Sequence, residues 1–318
     1  MLKPGGYERL EQIGQLFKAK GAAAFAGVSA EKVEAMVEAA KSDKHHVKAV
    51  KPLPSRKVKK PVPLTDCFIA PCQEGCPIHQ DITTYLQLVG EEKYEEAMEV
   101  ITEKNPLPFI TGTICAHNCM SKCTRNFYET PVHIREMKLK AAENGYEALL
   151  EKLPVPAVTK AGKAAVIGGG PAGMAAAYFL RKGGMEVTLF EAKEPLGGVV
   201  RLVFPLFRIS EDAMEKDAEI LRKMQVDIRC NTKVESLEEL KKQGYTKIVL
   251  AVGAPVQGSL KLESGMPKNA LEFLAEFKQT DGKVSLGKHV VVIGGGNTAM
   301  DTARAAKRNA GVEHVYLI

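Results

Sequence analysis

The sequence contains no long apolar run: none of its segments approaches the ~18 consecutive apolar residues that a membrane-spanning helix needs. Its N-terminus, MLKPGGYERLEQIGQLF, lacks the charged-then-apolar pattern of a secretory signal peptide. These absences predict a cytoplasmic protein with no membrane partner. With 45% hydrophobic and 26% charged residues among 318, the chain is typical of a globular protein with two or three domains.

A general excess of positive charge is also missing, although the net charge is +6. Eight of the 44 Lys and Arg residues lie within 41–60, against one of the 38 Asp and Glu residues. This basic stretch contains or adjoins four prolines, Pro52, Pro54, Pro61 and Pro63. The pattern favours a stiff, solvated linker over a nucleic-acid-binding face, with a strip that docks on an acidic partner as the alternative.

The pattern of elements predicts the fold class α + α/β. Residues 1–63 are predicted to hold two helices, the second capped by Ser29, and the basic linker. Residues 64–152 are predicted to be helical, with helices at 81–89, 91–104 and 132–151 and a loop, NPLPFITGT, at 105–113. Residues 153–158 are predicted to be an interdomain linker. Strands are predicted after it, at 163–168, 186–190, 226–230, 247–252, 288–293 and 313–318. Their alternation with helices indicates a doubly wound parallel sheet.

Two glycine-rich turns each connect a predicted strand to a predicted helix. The first reads GGGPAG, and its G-x-G-x-x-G pattern falls on Gly168, Gly170 and Gly173. Such glycines allow a tight turn, close approach of the backbone to a pyrophosphate, and close packing of helix on strand. The following strand ends at Glu191, whose carboxylate can accept hydrogen bonds from ribose hydroxyls. This context predicts a dinucleotide-binding turn, with a purely structural turn as the alternative.

The second turn lies in HVVVIGGGNTAMDTARAAKR, residues 289–308. Its helix is predicted to begin near Asn297, and Ala299 replaces the last glycine, which the motif tolerates. Two such turns in one chain predict two bound nucleotides.

The segments GGGPAGMAAAYFL…FEAKEPLGG, KIVLAVGA and GGGNTAMD resemble the flavin–pyridine-nucleotide unit of the glutamate synthase small-subunit family. The N-terminal half of dihydropyrimidine dehydrogenase is similar. The resemblance implies FAD at the first turn, in a domain at 158–287, and NAD(P)H at the second, in an incomplete domain at 288–318. The flavin candidates are Gly168, Gly170, Pro171, Ala172, Gly173, Glu191, Gly197, Gly198, Arg208 and Gly253. The NAD(P)H candidates are Gly294, Gly296, Asn297, Thr298 and Ala299.

Six of the seven cysteines form two trios. They are Cys67, Cys72 and Cys76, and Cys115, Cys119 and Cys123. On a continuous helix, Cys115 and Cys119 would share a face. In a reducing compartment, clustered cysteines bind metals or act catalytically more often than they form disulfides. The C-x2-C knuckles typical of structural zinc are absent, and a flavin-linked dithiol would be expected after the flavin fingerprint. Iron–sulfur ligation is therefore favoured, with zinc and a Cys67–Cys72 dithiol as alternatives.

The segments DCFIAPCQEGC, NPLPFITG and ICAHNCMSKC resemble the helical iron–sulfur domain that precedes the flavin in the same family. The resemblance implies one or two [4Fe–4S] clusters within 64–152. One would be held by Cys67, Cys72 and Cys123, and the other by Cys76, Cys115 and Cys119. The sequence resembles most the branch named for selenate reduction, which comprises large multidomain iron–sulfur flavoproteins.

Two positions depart from the family. Its leading cysteine falls at Leu64, and its Glu or Gln ligand falls at Lys138, which would leave each cluster three thiolates. Water, a partner chain or a nearby side chain would complete them, the candidates being His79, His117 and Glu136. The remaining cysteine, Cys230, is interpreted as a small apolar core residue, and His45, His46 and His314 as surface residues.

The predicted function is that of an NAD(P)H-dependent oxidoreductase module. Hydride would pass from NAD(P)H to FAD, and single electrons would pass through the clusters to an accepting domain or subunit. No side chain has the pattern of an essential acid–base catalyst, so the site residues are predicted to be cofactor ligands. The alternatives are a non-catalytic scaffold with vestigial nucleotide folds and a flavin disulfide reductase that uses Cys67 and Cys72.

The sequence stops at Ile318, in the second strand of the second nucleotide fold. The family continues with more strands, with the basic residues that choose NADP over NAD, and with a segment that closes over the flavin. We therefore expect a piece of a longer protein, in which hydride transfer by this piece alone is incomplete.

Overall fold

The structure is a computed structural model that describes residues 69–127, 129–254 and 265–318, with six earlier residues. Those six are Ser29, Glu31, Lys32, Ala35, Glu38 and Ala39. One compact unit comprises Met1–Ile69 and Arg125–Thr130, and the other comprises Ala70–Thr124 and Pro131–Ile318. In the first unit, the described residues from Glu31 to Ala39 are helical, and Ser29 Oγ accepts from the Lys32 N–H at 3.3 Å. The predicted Ser29 cap is therefore confirmed, whereas the basic linker lies outside the described residues.

The N-terminal part of the second unit is helical, as predicted. Its α-helices are α1 (Pro71–Glu74), α2 (Ile82–Gly90), α3 (Tyr94–Lys104), α4 (Pro108–Ile114), α5 (Asn118–Ser121) and α6 (Ile134–Lys152). A 3₁₀ helix at Thr124–Phe127 contains residues of both units. The long helix α6 packs against α2, α3 and α4, and α1 packs against α5. Within the described residues, no helix has the length and apolar character that crossing a membrane requires.

The predicted loop at 105–113 is wrong, because α4 occupies most of it. Pro108 stands at the first helical turn, where its fixed φ is favourable. The two N–H groups that follow, of Phe109 and Ile110, donate to the buried Asp217 carboxylate at 3.1 and 2.8 Å. This capping group is distant in sequence, so no local pattern could reveal it.

The rest of the second unit is α/β. It comprises β1 (Lys163–Ile167), α7 (Pro171–Lys182), β2 (Glu186–Phe190), α8 (Gly198–Leu202), α9 (Glu211–Lys223), β3 (Asp227–Arg229), α10 (Leu237–Lys242), β4 (Tyr245–Leu250), α11 (Ala270–Gln279), β5 (His289–Val292), α12 (Asn297–Arg308) and β6 (His314–Leu317).

The strands form two parallel sheets. The first has the order β3-β2-β1-β4, in which Ile167 at the end of β1 pairs with Phe190 and Leu250. The second contains β5 and β6, with His289 opposite His314. All six predicted strands are present within one or two residues, and their parallel pairing confirms the predicted α + α/β fold class.

The helical region shares its core with the first sheet's helices. Tyr178 of α7 and Ile220 of α9 are buried in the same cluster as residues of α2, α3 and α6. The Tyr178 hydroxyl donates to the Thr102 carbonyl at 3.1 Å, and α4 packs against α9. The region that carries five of the cysteines is therefore packed directly on the nucleotide-binding fold.

Candidate functional site

The first glycine-rich turn lies at the carboxyl end of β1, between the ends of its two neighbours. The Gly168 N–H donates to the Phe190 carbonyl at 2.8 Å, and the Ala251 N–H donates to the Ile167 carbonyl at 2.8 Å. Parallel α/β sheets bind their ligands at this edge. The turn is therefore placed where a nucleotide would be bound.

Gly168 and Gly173 allow strand and helix to close on each other. Gly168 has a φ of +106°, and a Cβ added there would overlap the carbonyl oxygen of Ala251. A Cβ at Gly173 would overlap the Gly168 carbonyl oxygen. Both obstacles are backbone atoms, so neither position accepts a side chain without displacement of α7 or β4.

At Gly170 and Gly198, the backbone of the first turn and the backbone at the start of α8 approach each other closely, because neither residue has a side chain. The Gly197 N–H donates to the Gly169 carbonyl at 2.8 Å, and a Cβ on Gly198 would lie 2.8 Å from the Gly170 Cα. Gly197 and Gly198 have φ values of +127° and +54°, in the region that favours glycine. The turn and the segment that begins α8 thus lie in close backbone contact.

Glu191 follows β2 and reaches this turn. Its Oε2 accepts from the Gly169 N–H at 2.5 Å and its Oε1 from the Lys193 N–H at 2.9 Å. In the structure the carboxylate therefore joins the turn to the loop that follows β2. Its role as a ribose acceptor stays a prediction.

A dinucleotide fits these residues. Helix α7 begins at Pro171 and no side chain caps it, so the N–H groups of its first turn, which includes Ala172 and Gly173, face the turn. Uncapped N–H groups and the helix dipole favour a phosphate, and the adjacent glycine backbones leave room for it.

The second turn has the same local shape in a different setting. Gly294 has a φ of +122°, and Gly296 has φ and ψ of −81° and 175°, against −73° and 178° at Gly170. A Cβ at Gly295 or Gly296 would meet nothing within 4 Å, and a Cβ at Gly294 would lie 3.7 Å from the Ala299 Cβ. Asn297 and Thr298 are exposed in the uncapped first turn of α12, so this turn also fits a phosphate.

Two further flavin candidates lie apart from the first turn's contacts. Gly253, after β4, is exposed with a φ of +69°. Arg208 Nη1 lies 3.2 Å from Oδ1 of the buried Asp301 in α12. Phe207 beside it lies beneath the guanidinium groups of Arg304 and Arg308, at 4.6 and 4.3 Å from the ring centre. Arg208 therefore contacts the second nucleotide fold, and its flavin role stays a prediction.

The structure brings described members of the two cysteine trios together. Helix α1, which contains Cys72, packs against α5, which contains Cys119, and both residues belong to one hydrophobic cluster with Cys76. Cys67 and Leu64 lie outside the described residues. The six described cysteines are free thiols.

The prediction that Cys115 and Cys119 share the face of one helix is wrong. Cys115 ends α4, and Cys119 lies in the separate short helix α5. His117 between them has left-handed φ and ψ of 45° and 40°, which interrupts the helix. The Cys115 thiol still raises the pKa of Cys119 electrostatically across this break.

The thiol environments are linked to one another through Cys76. Burial raises the pKa of Cys119, and the thiols of Cys115 and Cys76 raise it further, whereas Lys138 lowers it. Burial also raises the pKa of Cys72, with contributions from Cys123 and Cys76. Sulfur donors close together in a buried setting fit iron–sulfur clusters.

No three His, Cys, Asp or Glu side chains in the described part of the chain converge as ligands of a single metal ion. Each thiolate of a [4Fe–4S] cluster binds a different iron, so cluster ligands stand farther apart than ligands of one ion. The ligand assignment stays a prediction.

The other side chains proposed as ligands have contacts of their own. Glu136 lies 3.0 Å from Nδ1 of His133, and His117 Nδ1 lies 3.2 Å from the Cys115 carbonyl oxygen. His79 has a φ of +47°, and its carbonyl accepts from Lys104. Lys138 is buried, only 9% exposed, beside the cysteines.

Cys230 is half-buried and packs against the core of the first sheet, which is close to the small apolar core residue that the sequence predicted. His314 is exposed, as predicted, but its ring stacks on His289 at 5.1 Å through the pairing of β5 with β6. His45 and His46 lie outside the described residues.

Sequence reasoning missed two buried polar residues. Burial raises the pKa of Asp217 to about 8, although the Ile110 and Phe109 N–H groups lower it. Tyr85 is 1% exposed in the cluster that contains the cysteines, and burial and the nearby thiols raise its pKa. An acid on the apolar side of the amphipathic helix α9 was the signal that could have revealed Asp217.

Comparisons with known proteins agree with this division of the chain. Residues 59–149 match the family described as dihydropyrimidine dehydrogenase domain II, 4Fe–4S cluster. Residues 162–318 match the pyridine nucleotide-disulphide oxidoreductase family.

Three curated relatives show the extent of the similarity. YgfK of Escherichia coli strain K12 is 39% identical over 100% of this chain and 31% of its own length. The NADPH-Fe(3+) oxidoreductase subunit beta of Geobacter sulfurreducens is 36% identical, over 79% of this chain and 39% of the relative. The NAD-dependent dihydropyrimidine dehydrogenase subunit PreT of E. coli strain K12 is 30% identical, over 76% of this chain and 60% of the relative.

The chain thus spans between 31% and 60% of the length of these relatives. Its two matched regions follow each other in the order that the cysteines and the glycine turns predicted. The chain therefore combines a 4Fe–4S domain of the dihydropyrimidine dehydrogenase domain II type with a pyridine nucleotide-disulphide oxidoreductase domain, in that order.

Proposed function

We propose that this chain is an electron-transfer module that passes electrons from NAD(P)H through FAD to [4Fe–4S] clusters and on to a partner domain or subunit. The observation that carries the proposal is the packing of the cysteine-bearing helices on the nucleotide fold. Asp217 of α9 caps the N-terminus of α4, and Cys115 lies at the other end of that seven-residue helix. Helix α4 and its cap therefore connect the cysteine-bearing region to the nucleotide fold.

The first turn would hold FAD. When bound, FAD supplies the conversion of a two-electron donor into single electrons, and the clusters supply one-electron carriers. The protein's part is to bind and orient: the backbone at Gly170 and Gly198 admits a pyrophosphate, and the N-terminus of α7 stabilises its charge. Glu191 would then exchange a backbone hydrogen bond for a ribose hydroxyl.

The second turn would hold NAD(P)H through Gly294, Gly296 and the first turn of α12. Two relatives support the existence of a partner subunit, because each is itself named as a subunit. One is the NADPH-Fe(3+) oxidoreductase subunit beta, and the other is the NAD-dependent dihydropyrimidine dehydrogenase subunit PreT. The clustering of six of the seven cysteines supports a reducing compartment, the cytoplasm, as the place of this reaction.

Anaerobic purification tests the proposal. The protein is expected to be brown and to contain flavin and about four to eight irons per chain with matching sulfide. NADH or NADPH should bleach the flavin and then produce the electron paramagnetic resonance (EPR) signal of a reduced cluster. A colourless protein without flavin or iron would support a scaffold instead, and zinc without sulfide would overturn the cluster assignment.

A matched pair of variants separates the two nucleotide sites. In Gly170→Ala the new Cβ stands 3.8 Å from the Gly198 Cα, so the fold tolerates it, but it intrudes where the pyrophosphate would lie. We expect loss of flavin with retained iron. In Gly296→Ala we expect retained flavin and a raised KM for the pyridine nucleotide. Loss of flavin in Gly296→Ala alone would reverse the assignment.

The disulfide reductase alternative has its own test. Replacing Cys67 and Cys72 by serine should lower the iron and sulfide content if they bind a cluster. Full iron content together with loss of a thiolate–flavin charge-transfer band would instead favour thiol chemistry.

A further inference from the structure

We propose that Lys138 supplies a fixed positive charge at the Cys76, Cys115 and Cys119 site, and that this charge raises the reduction potential of the cluster bound there. The inference rests on the proposed function, because it concerns a cluster held by these cysteines. Lys138 would act as a positioning and tuning residue and not as a ligand.

The first step of the argument is the burial of Lys138. Only 9% of the residue is exposed, although lysine is among the residues least often buried without a partner. Within the described ranges, Lys138 forms no salt bridge to a carboxylate. A buried ammonium without a counter-ion is strongly unfavourable, so an anionic partner is expected at this position.

The second step is the position of Lys138 relative to the thiols. Helices α4 and α6 touch backbone to backbone, since a Cβ on Gly112 would lie 3.0 Å from the Leu139 Cα. Gly112 is three residues before Cys115, and Leu139 is the residue after Lys138. One turn earlier on α6, Arg135 Nη1 donates to the Cys115 carbonyl at 3.3 Å. This face of α6 is therefore directed at the end of α4.

The third step is that Cys76 and Cys119 reach the same place from other elements. Cys119 on α5 and Cys76 after α1 pack in the cluster that contains Ile134, which lies one turn before Lys138 on α6. Burial has the largest effect on the pKa of Lys138 and lowers it, and Arg135 lowers it too, whereas the thiols of Cys115, Cys119 and Cys76 raise it. Thiols from three separate elements thus lie within electrostatic reach of Lys138.

Two other charged groups nearby do not replace Lys138. Arg135 already contacts a carbonyl and lies 3.8 Å from the Glu136 carboxylate, with 28% of its side chain exposed. Asp217 interacts electrostatically with Lys138, but its oxygens accept from the backbone of α4. Besides the Asp217 carboxyl, the thiolates and the cluster they would hold are the anionic groups that act on Lys138.

The consequence follows from electrostatics. A [4Fe–4S] cluster with thiolate ligands is anionic, and each added electron makes it more so. In a medium of low dielectric, a cation beside the cluster stabilises the reduced cluster more than the oxidised cluster, because the reduced cluster carries more negative charge. Lys138 would thereby make this cluster a better electron acceptor than it would be without the charge, which favours electron transfer from the flavin side.

Potentiometric titration followed by EPR tests this role in the purified protein. Lys138→Met keeps the length of the side chain and removes the charge, and Lys138→Arg keeps the charge. Lys140→Met is the matched control, because Lys140 is exposed two residues away on the same helix. We expect one cluster signal to move to a more negative potential in Lys138→Met and to stay in place in the other two variants.

Several outcomes would overturn the role of Lys138. An unchanged potential in Lys138→Met with full iron content is one, and an equal shift in Lys138→Arg or Lys140→Met is another. Lys138→Met could also lose its cluster. In that case, a Lys138→Arg variant that keeps both the cluster and its potential supports the role of the charge. Loss of the cluster in both variants overturns that role. Absence of iron and sulfide from the unmodified protein would overturn the proposed function itself, which separates the two failures.

Discussion

The two glycine-rich turns have nearly the same sequence, GGGPAG at 168–173 and GGGNTA at 294–299, and nearly the same backbone. Their surroundings differ. At the first turn an added Cβ at Gly168 or Gly173 would overlap a backbone carbonyl, whereas at the second turn Gly295 and Gly296 face open space. The local sequence thus determines the shape of the turn, and the packing around it determines how much change the turn tolerates.

The same contrast holds for the contacts that join these folds to their neighbours. The first fold is joined to the helical region through Asp217, which is fully buried. The second fold is joined to the first by an apolar cluster that includes Val203 and Ala305, and by the ion pair of Arg208 and Asp301, in which 28% of the Arg208 side chain is exposed. Of these two polar contacts, one is therefore a buried cap and the other a partly solvated ion pair.

The largest expected effect concerns the last position of each turn. Gly173→Ala places a Cβ on the Gly168 carbonyl oxygen, which must displace α7, and should cost about 3 kcal/mol of the free energy of unfolding. The matched change Ala299→Gly should cost under about 1 kcal/mol, mainly through helix propensity. Urea unfolding followed by circular dichroism measures both. Equal costs would mean that the two turns are packed alike.

The next effect concerns the two connections. Asp217→Ala leaves the Phe109 and Ile110 N–H groups buried without an acceptor, and should cost about 2 kcal/mol. Arg208→Ala removes a partly exposed pair, while Arg304 remains 3.7 Å from Asp301, and should cost under about 1 kcal/mol. The midpoints of urea unfolding give the comparison. A greater loss in Arg208→Ala would contradict it.

The smallest effect is a pH dependence at the buried connection. Burial raises the pKa of Asp217 to about 8 in the folded protein, whereas the unfolded chain releases this proton near its ordinary value of about 4. Between these values the unfolded state binds fewer protons, so stability is fully present below about pH 4 and decreases as pH rises through 8.

Between pH 6 and pH 7 this group should remove about 1 kcal/mol from the free energy of unfolding. Asp217→Asn cannot ionise, so its unfolding midpoint should depend less steeply on pH than that of the unmodified protein. Parallel pH profiles for the two proteins would show that Asp217 ionises normally in the fold.

Much of the fold could be predicted from the sequence, because its signals are local. The β-branched runs that alternate with helices predicted all six strands, and the glycine-rich segments predicted tight turns, at which Gly168 and Gly294 have positive φ in the structure. The helix over 105–113 was missed, since its cap comes from Asp217 in a different region of the chain. The break between Cys115 and Cys119 was also missed, because it depends on a left-handed His117.

The sequence by itself determined the order of the regions, the dinucleotide turns and the clustering of cysteines, since each follows from residue types at short spacing. Only the tertiary structure decided which turn is closely packed, how α4 is capped and that Lys138 is buried beside the thiols. These features arise where distant segments meet, because burial and the capping of a helix by a remote carboxylate depend on packing that no local pattern records.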